Sequence, residues 1–501
     1  MPNPLSAGTP PRSETRYHLG YRFLRLFADI RQGEAGKALL LALNVFLLLL
    51  AYYILKPLRE ALLLVDKDAA VIKSCLSGAQ AVLFVFVIKA FSRLASKVPR
   101  HLLITWTTSF FISNLVIFYF LNLGGMAIKP MGIMFFIWIG IFNYFVIAQF
   151  WGFANDLYSD EVGKRAFPLV ALGATLGGFV ATLPIMKRLR DLLGGRWEYK
   201  LMLIAGVILL LCIGLARFIH RREVRRTKTD LEKGLLGAAE KAKVQELPLK
   251  AGGGFRLIFK SRYLLLIALM IGLYNFVNAT GEFIITKVTL DQSLASQAPK
   301  TAAAGPQQPA VMSGGQSADA ALPAASPAVA PKTDTKIIHN AFMNYQFLGN
   351  LIALVLQLFL VSRIFKWVGV GGALLFLPLI ALGGYALISF GAVVVLVRWV
   401  KAFENGTDYS LQNTTKAALF LVTKREEKYK AKAAIDTFFV RGGDTLSALA
   451  VVVGTQLLGL RIERFALLNV VVVIVMIVLC FRIIKSYKTR KAAADAAVAA
   501  V

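Results

Sequence analysis

Charged side chains stand inside apolar runs at several points of this chain. In Tyr52-Tyr-Ile-Leu-Lys-Pro-Leu-Arg-Glu60, the ions Lys56, Arg59 and Glu60 are followed by the apolar stretch Ala61–Val65. Glu282 lies in Asn278-Ala-Thr-Gly-Glu-Phe-Ile-Ile-Thr-Lys287, and Lys416 precedes Ala-Ala-Leu-Phe-Leu-Val422. Asp436, Arg441 and Asp444 follow in another such segment. An ion within a membrane span costs roughly 3 kcal/mol on insertion scales, so it needs a partner or a water-filled cavity. Cations gathered around one cavity would neutralise a phosphate chain, and an arginine would add two parallel hydrogen bonds. Local pairing is the plainer alternative. It has Lys56 pairing with Glu60 where the first span ends, Glu282 as an interfacial or capping carboxylate, and Arg441 held by Asp444 at i,i+3.

No catalytic or metal-binding pattern accompanies these ions. His18, His101, His220 and His339 lack metal-ligand spacing, and neither a phosphate loop nor a nucleophile elbow occurs. Gly252 to Gly254 have no following Lys-Ser/Thr. Cys75, Cys212 and Cys480 each sit in or beside apolar sequence and read as small hydrophobes. No cofactor, no metal and no enzymatic activity are expected.

The elements that must position the ions are helices in a bilayer. The chain has 501 residues, 57% of them hydrophobic and only 17% charged, with a mean hydropathy of +0.63. About 20 helical residues cross a hydrocarbon core of about 30 Å. Windows that meet this test fall at 38–55, 69–92, 101–122, 131–155, 166–186 and 201–219. They recur at 263–286, 338–362, 368–387, 389–422, 433–458 and 465–485. The window 389–422 is the weakest, because Arg398, Lys401, Glu404 and Asp408 interrupt it. The expected fold is all-α integral membrane, with twelve transmembrane helices in two six-helix repeats and a major-facilitator-like arrangement.

Lys and Arg number 57 against 28 Asp and Glu. With the amino terminus inside, the cytoplasmic segments hold 36 of the basic residues and the opposite side 15. That asymmetry puts both termini in the cytoplasm and assigns the excess to orientation and anionic lipid rather than nucleic acid. Lys187, Arg188, Arg190, Arg196 and Lys200 fall on the wrong side. A bacterial plasma membrane is the expected location, with an organellar inner membrane as the alternative, and a monomer is the expected state. Residues 1–36 read as a cytoplasmic segment, 37–219 as the first half, 220–261 as a basic linker, 262–486 as the second half and 487–501 as a tail. Within the second half, residues 291–336 are rich in Ala, Pro, Ser, Gln and Gly, a composition that cannot build a core.

The halves retain traces of one another. Tyr52 precedes Glu60 by eight positions, and Tyr274 precedes Glu282 by eight, an offset of 222. Gly173-Ala-Thr-Leu-Gly-Gly178 resembles Gly443-Asp-Thr-Leu-Ser-Ala448 at an offset of 270. The difference, 48, nearly equals the 46 residues of 291–336, as one insertion into one of two equal halves would produce. Such duplicated carriers hold substrate near the midplane between the halves. Asn155, Glu161, Lys164 and Arg165, with Lys430 and Lys432 in the matching segment of the second half, are candidate gating residues at the cytoplasmic ends.

Several runs are also specific in their wording. Ile54-Leu-Lys-Pro-Leu-Arg-Glu60, Phe150-Trp-Gly-Phe-Ala-Asn155 and Glu161-x-x-Lys-Arg-x-Phe-Pro-Leu169 are three of them. Tyr409-Ser-Leu-x-x-x-Thr-Lys416 and Lys430-Ala-Lys-Ala-Ala-Ile-Asp436 are two more. With these the chain resembles the ATP/ADP translocase family of plastids and obligate intracellular bacteria, from about residue 40 to 485. The resemblance implies twelve spans and exchange of nucleotides across a membrane. It puts the family's first-span basic residue at Arg59, its seventh-span Glu at Glu282 and its tenth-span Lys at Lys416. The expected substrate site is then Lys56, Arg59, Glu282, Lys416, Asp436 and Arg441, with a nucleotide or another anionic small molecule as partner. A proton-coupled carrier of another organic anion, with Glu282 or Asp436 as proton site, is the alternative, and a non-transporting membrane scaffold a further one.

Overall fold

Apolar runs of this length satisfy their backbone polar groups only by coiling on themselves. A computed structural model describes residues 35–95, 100–158, 160–232, 254–297, 334–391, 393–420, 422–423, 427 and 431–499, and the regular structure among them is all helical. The first half holds α1 (Ala35–Leu63), α2 (Ala69–Ala95), α3 (Arg100–Leu123), α4 (Ile128–Leu157), α5 (Asp160–Ala181), α6 (Ile185–Leu193) and α7 (Trp197–Glu232). Beyond a short α8 (Gly254–Lys260) come α9 (Arg262–Gln297), α10 (Thr335–Val355), α11 (Val361–Phe390), α12 (Val394–Thr407) and α13 (Asn413–Leu419). The chain ends in α14 (Val440–Val452) and α15 (Ile462–Ala499).

Nine helices among the described residues are long and apolar enough to cross a membrane, or ten if the bent pair Leu169–Ala181 and Met186–Leu193 is one span. The chain is a multi-pass helical membrane protein. Twelve spans are not reached by this measure. The second window is apolar only over Ala69–Phe84. The 389–422 window is divided by a π-helical segment, Asp408–Gln412, between α12 and α13. A second π segment, Ile435–Phe439, leads into α14. Such wide turns are frequent at functional sites, although Leu356–Leu360 and Val453–Leu457 are also π-helical.

Three expected boundaries move. Helix α7 runs on to Glu232, into the segment expected as linker, and α8 occupies its far end. Helix α9 extends to Gln297 and α10 begins at Thr335, which narrows the 291–336 segment from both sides. The tail from 487 continues α15 as far as Ala499. Gly369, at φ +67°, breaks the rod Val361–Phe390 with a kink that a residue carrying a Cβ would resist.

Small residues let the helices approach. A Cβ on Gly173 of α5 would lie 2.4 Å from the Ala42 carbonyl oxygen of α1, and one on Gly177 2.3 Å from that of Phe46. This is small-residue packing, in which backbones meet without intervening side chains. Buried apolar side chains form two large clusters. One is built from residues between Ala38 and Ile219, and the other runs from Ile258 to Ile483 with Leu64, Ala69 and Ala70 added from the first half.

Candidate functional site

Helical spacing sets one face of α1 toward the middle of the molecule. Tyr52, Lys56 and Arg59 follow one another at steps of four and three, and all three line a cavity of about 1170 Å³, counting its open part. Helix α2 adds Lys73, Ser74, Ser77 and Gln80, and α4 adds Phe136. The second half supplies Asn275, Asn278, Glu282 and Phe283 from α9, Tyr409 from the π segment, and Arg441, Asp444 and Ser447 from α14. Four cations and two carboxylates thus face one space.

Apart from Arg441 and Asp444, the ions are paired differently from the local alternatives set out above. Helix α1 runs through Pro57 to Leu63, so Glu60 is not a surface cap; it is 1% exposed. Arg59 donates to Glu60 Oε1 through Nε at 3.0 Å and also through Nη2, and its guanidinium lies 4.7 Å from the Phe136 ring centre. Lys73 Nζ stands 2.8 Å from Glu60 Oε2 and 3.7 Å from Glu282 Oε2, and it donates to Thr286 Oγ1 at 2.8 Å. Tyr345 on α10 donates to Glu282 Oε1 at 2.8 Å. Arg441 pairs with Asp444 at 3.1 Å, the i,i+3 pairing that local spacing suggested.

Lys56 stands apart. Its ammonium lies 5.5 Å from the Tyr53 ring centre and 6.0 Å from that of Tyr409. Among the described residues no carboxylate oxygen is within 4 Å of it, so the expected Lys56–Glu60 pair does not form.

Of the six expected site residues, Lys56, Arg59, Glu282 and Arg441 line the cavity and Lys416 and Asp436 do not. Lys416 pairs with Asp408 at 3.0 Å and sits 4.9 Å above the Tyr274 ring, because its position on α13 is one turn past the π segment that carries Tyr409. Asp436 is exposed and pairs at 2.6 Å with Lys432 one turn earlier. Lys432 is therefore engaged within its own helix rather than across the halves. Asn155 ends α4, and Glu161, Lys164 and Arg165 begin α5. Their side chains, and Lys430 altogether, lie outside the described residues.

Sequence reasoning missed three contributors. Lys73 was visible only as a lone lysine in an apolar window. Asn278 and Tyr345 carry no charge to mark them. Asn278 accepts from Lys401 Nζ through Oδ1 at 3.0 Å. Lys401 pairs at 3.0 Å with Glu404, both side chains fully buried, and Glu404 Oε2 accepts from Tyr385 at 2.7 Å. What interrupts the tenth window is thus in large part a buried ion pair and its hydrogen bonds behind the cavity wall, with Glu404 Oε1 left unbonded.

At one end the two halves also meet outside the cavity. Arg190 on α6, 5% exposed, donates to Asn340 Oδ1 on α10 at 2.5 Å and to Asp191 at 2.6 and 2.9 Å. Lys187 donates to Asn344, and Thr335 to Glu198 at 3.1 Å. Asn350 donates to the Gly178 carbonyl at 2.9 Å, and Phe179 stacks on Phe347 with ring centres 5.6 Å apart.

Residues 129–288 match the family described as TLC ATP/ADP transporter. The chain is 26% identical over 331 residues to ADP,ATP carrier protein 1 of Chlamydia trachomatis serovar D, covering 60% of this chain and 54% of that protein. It therefore spans about half the length of this curated relative. Solved transporters share the fold. The nucleoside transporter NupG matches with a TM-score of 0.53 at 14% identity, over 90% of this chain and 99% of that one. A bacterial homologue of the human lysosomal transporter Spinster, in an inward-facing and unoccupied conformation, matches at 0.51 and 12%, over 92% and 98%. An auto-inhibited POT family peptide transporter matches at 0.52 and 12%, over 91% and 97%.

Proposed function

We propose that the chain is a member of the ATP/ADP translocase family and a membrane carrier exchanging nucleotides by alternating access, with substrate held in the cavity between α1, α2, α9 and α14. The observation that carries the reading is Lys56. Arg59, Lys73 and Arg441 each have a carboxylate partner, and Lys56 has two tyrosine rings instead. A cation at membrane depth with no carboxylate in direct contact is costly, and an arriving anion lowers that cost. A phosphate chain at Lys56 also reaches Arg59 one turn away, which suits two-pronged guanidinium contact. Tyr52, Phe136, Phe283 and Tyr409 give the same space aromatic faces for a nucleobase.

Exchange needs no bond making. The two halves, 37–219 and 262–486, rock about the site so that it opens to one side and then to the other. Both termini in the cytoplasm, a bacterial plasma membrane and a monomeric state complete the proposal. Labelled nucleotide uptake into liposomes, with and without nucleotide inside, tests it. Uptake that requires internal nucleotide is the expected result. Uptake of another anion driven by a proton gradient, with no response to nucleotide, would overturn it.

A further inference from the structure

We propose that Lys73 is the residue that ties the two halves together while the cavity is empty and releases them when an anion is bound, which makes the carrier an obligatory exchanger. The proposal deepens the carrier reading above and rests on it. Glu60 and Glu282 hold matched places in the two sequence repeats, at the offset of 222. In the folded molecule these two carboxylates converge on one ammonium group, Lys73 Nζ, at 2.8 and 3.7 Å. Lys73 belongs to α2 of the first half. Its other contacts, Thr286 Oγ1 at 2.8 Å and the Phe342 ring centre at 5.2 Å, belong to the second. The side chain is only 7% exposed. Low solvent access strengthens each of these contacts.

The arrangement lets the halves part at modest cost. Lys73 keeps its nearer partner, Glu60, within its own half, so neither ion is left bare when Glu282 and Thr286 move off. What opposes the parting is Glu282, whose Oε2 faces Lys73 and whose Oε1 is held by Tyr345. A polyanion on Lys56 and Arg59 supplies fresh negative charge beside Lys73. It competes with Glu282 for the ammonium, and the cross-half tie weakens only when substrate is present.

The tie is measured at the end where α6 meets α10. Spin labels at Leu192→Cys, an 85% exposed site, and Lys336→Cys, also exposed, flank the Arg190–Asn340 contact without replacing it. The exposed Cys75 is changed to Ser. Without substrate, the otherwise unaltered protein gives one short distance, Lys73→Arg keeps it, and Lys73→Gln adds a longer population. Thr286→Val with Glu282→Gln, which leaves Lys73 and Glu60 intact, does the same if Lys73→Gln folds poorly. A parental distance distribution in both variants overturns the proposal. In liposomes loaded with labelled ATP, Lys73→Gln raises efflux into nucleotide-free buffer several-fold, and the stimulation by external ADP falls toward unity. A variant that keeps the parental stimulation also overturns it. A parent protein that moves no nucleotide at all sinks the nucleotide reading instead, while the distance measurement still decides the role of Lys73.

Discussion

Gly443 crosses Gly272 so closely that a Cβ on it would lie 2.3 Å from the Gly272 carbonyl oxygen. Gly173 stands in the same relation to Ala42 in the first half, at 2.4 Å. The two glycines are the ones matched by the repeat at an offset of 270. One helix crossing, of α5 on α1 and of α14 on α9, is therefore made twice with the same device. Gly443→Val is expected to force the helices apart and to destabilise by about 1–3 kcal/mol, as overpacking does. A lowered melting temperature in detergent is the readout, and an unchanged one would show that the crossing relaxes freely.

Lys56→Gln should fold normally and bind nucleotide weakly. A charge pair near 4 Å in a partly shielded site is worth about 4 kcal/mol before desolvation is counted. An affinity loss of at least about tenfold, roughly 1.4 kcal/mol, is therefore expected. Lys56→Arg should keep most of the affinity. Nucleotide-dependent thermal stabilisation of the three purified proteins decides, and equal stabilisation of parent and Lys56→Gln would remove Lys56 from the site.

Lys401 and Glu404 test the network behind the wall. Removing one partner, as in Glu404→Ala, leaves a fully buried ammonium without its carboxylate. Such broken pairs cost about 3–5 kcal/mol. The double variant Lys401→Met with Glu404→Leu replaces both ions by apolar groups and should be far less harmful. Thermal melts of single and double variants separate a structural pair from additive surface effects.

Orientation is open to chemical labelling. Introduced cysteines at Ala239 and Ala310, in a background without Cys75, should react from opposite sides of the membrane if the charge asymmetry of 36 to 15 sets the topology. Reaction of both from one side contradicts it.

Much of this was legible beforehand. Apolar length gave the helices, and ions in apolar runs gave five of the cavity residues, Lys56, Arg59, Glu282, Arg441 and Asp444. Lys416 misled because its cost is met locally by Asp408, and a π turn rotates it away from the face that Tyr409 occupies. Asp436 misled because a lysine four residues earlier satisfies it at the surface. Lys73 escaped notice because its partners lie 13 positions away in one direction and more than 200 in the other. The basic cluster at 187–200, which spoiled the charge asymmetry, also has an explanation. Arg190 and Lys187 hold the α6–α10 contact, and Lys200 donates to the Leu193 carbonyl at 2.6 Å. Those cations serve packing, so they are poor evidence about topology.

The excess of cations over carboxylates in the cavity wall carries an electrical meaning. A site that alternates between two aqueous phases also alternates in its access to the membrane potential. Each elementary charge moved through the whole field is worth about 2.3 kcal/mol per 100 mV. The positive wall by itself favours facing the negative side. A polyphosphate bound there cancels or reverses that sign, so the same potential pushes the loaded site the other way. In the exchange proposed above the wall's own charge crosses both ways and cancels over a full round, so the voltage biases direction through the difference in charge between the two nucleotides exchanged.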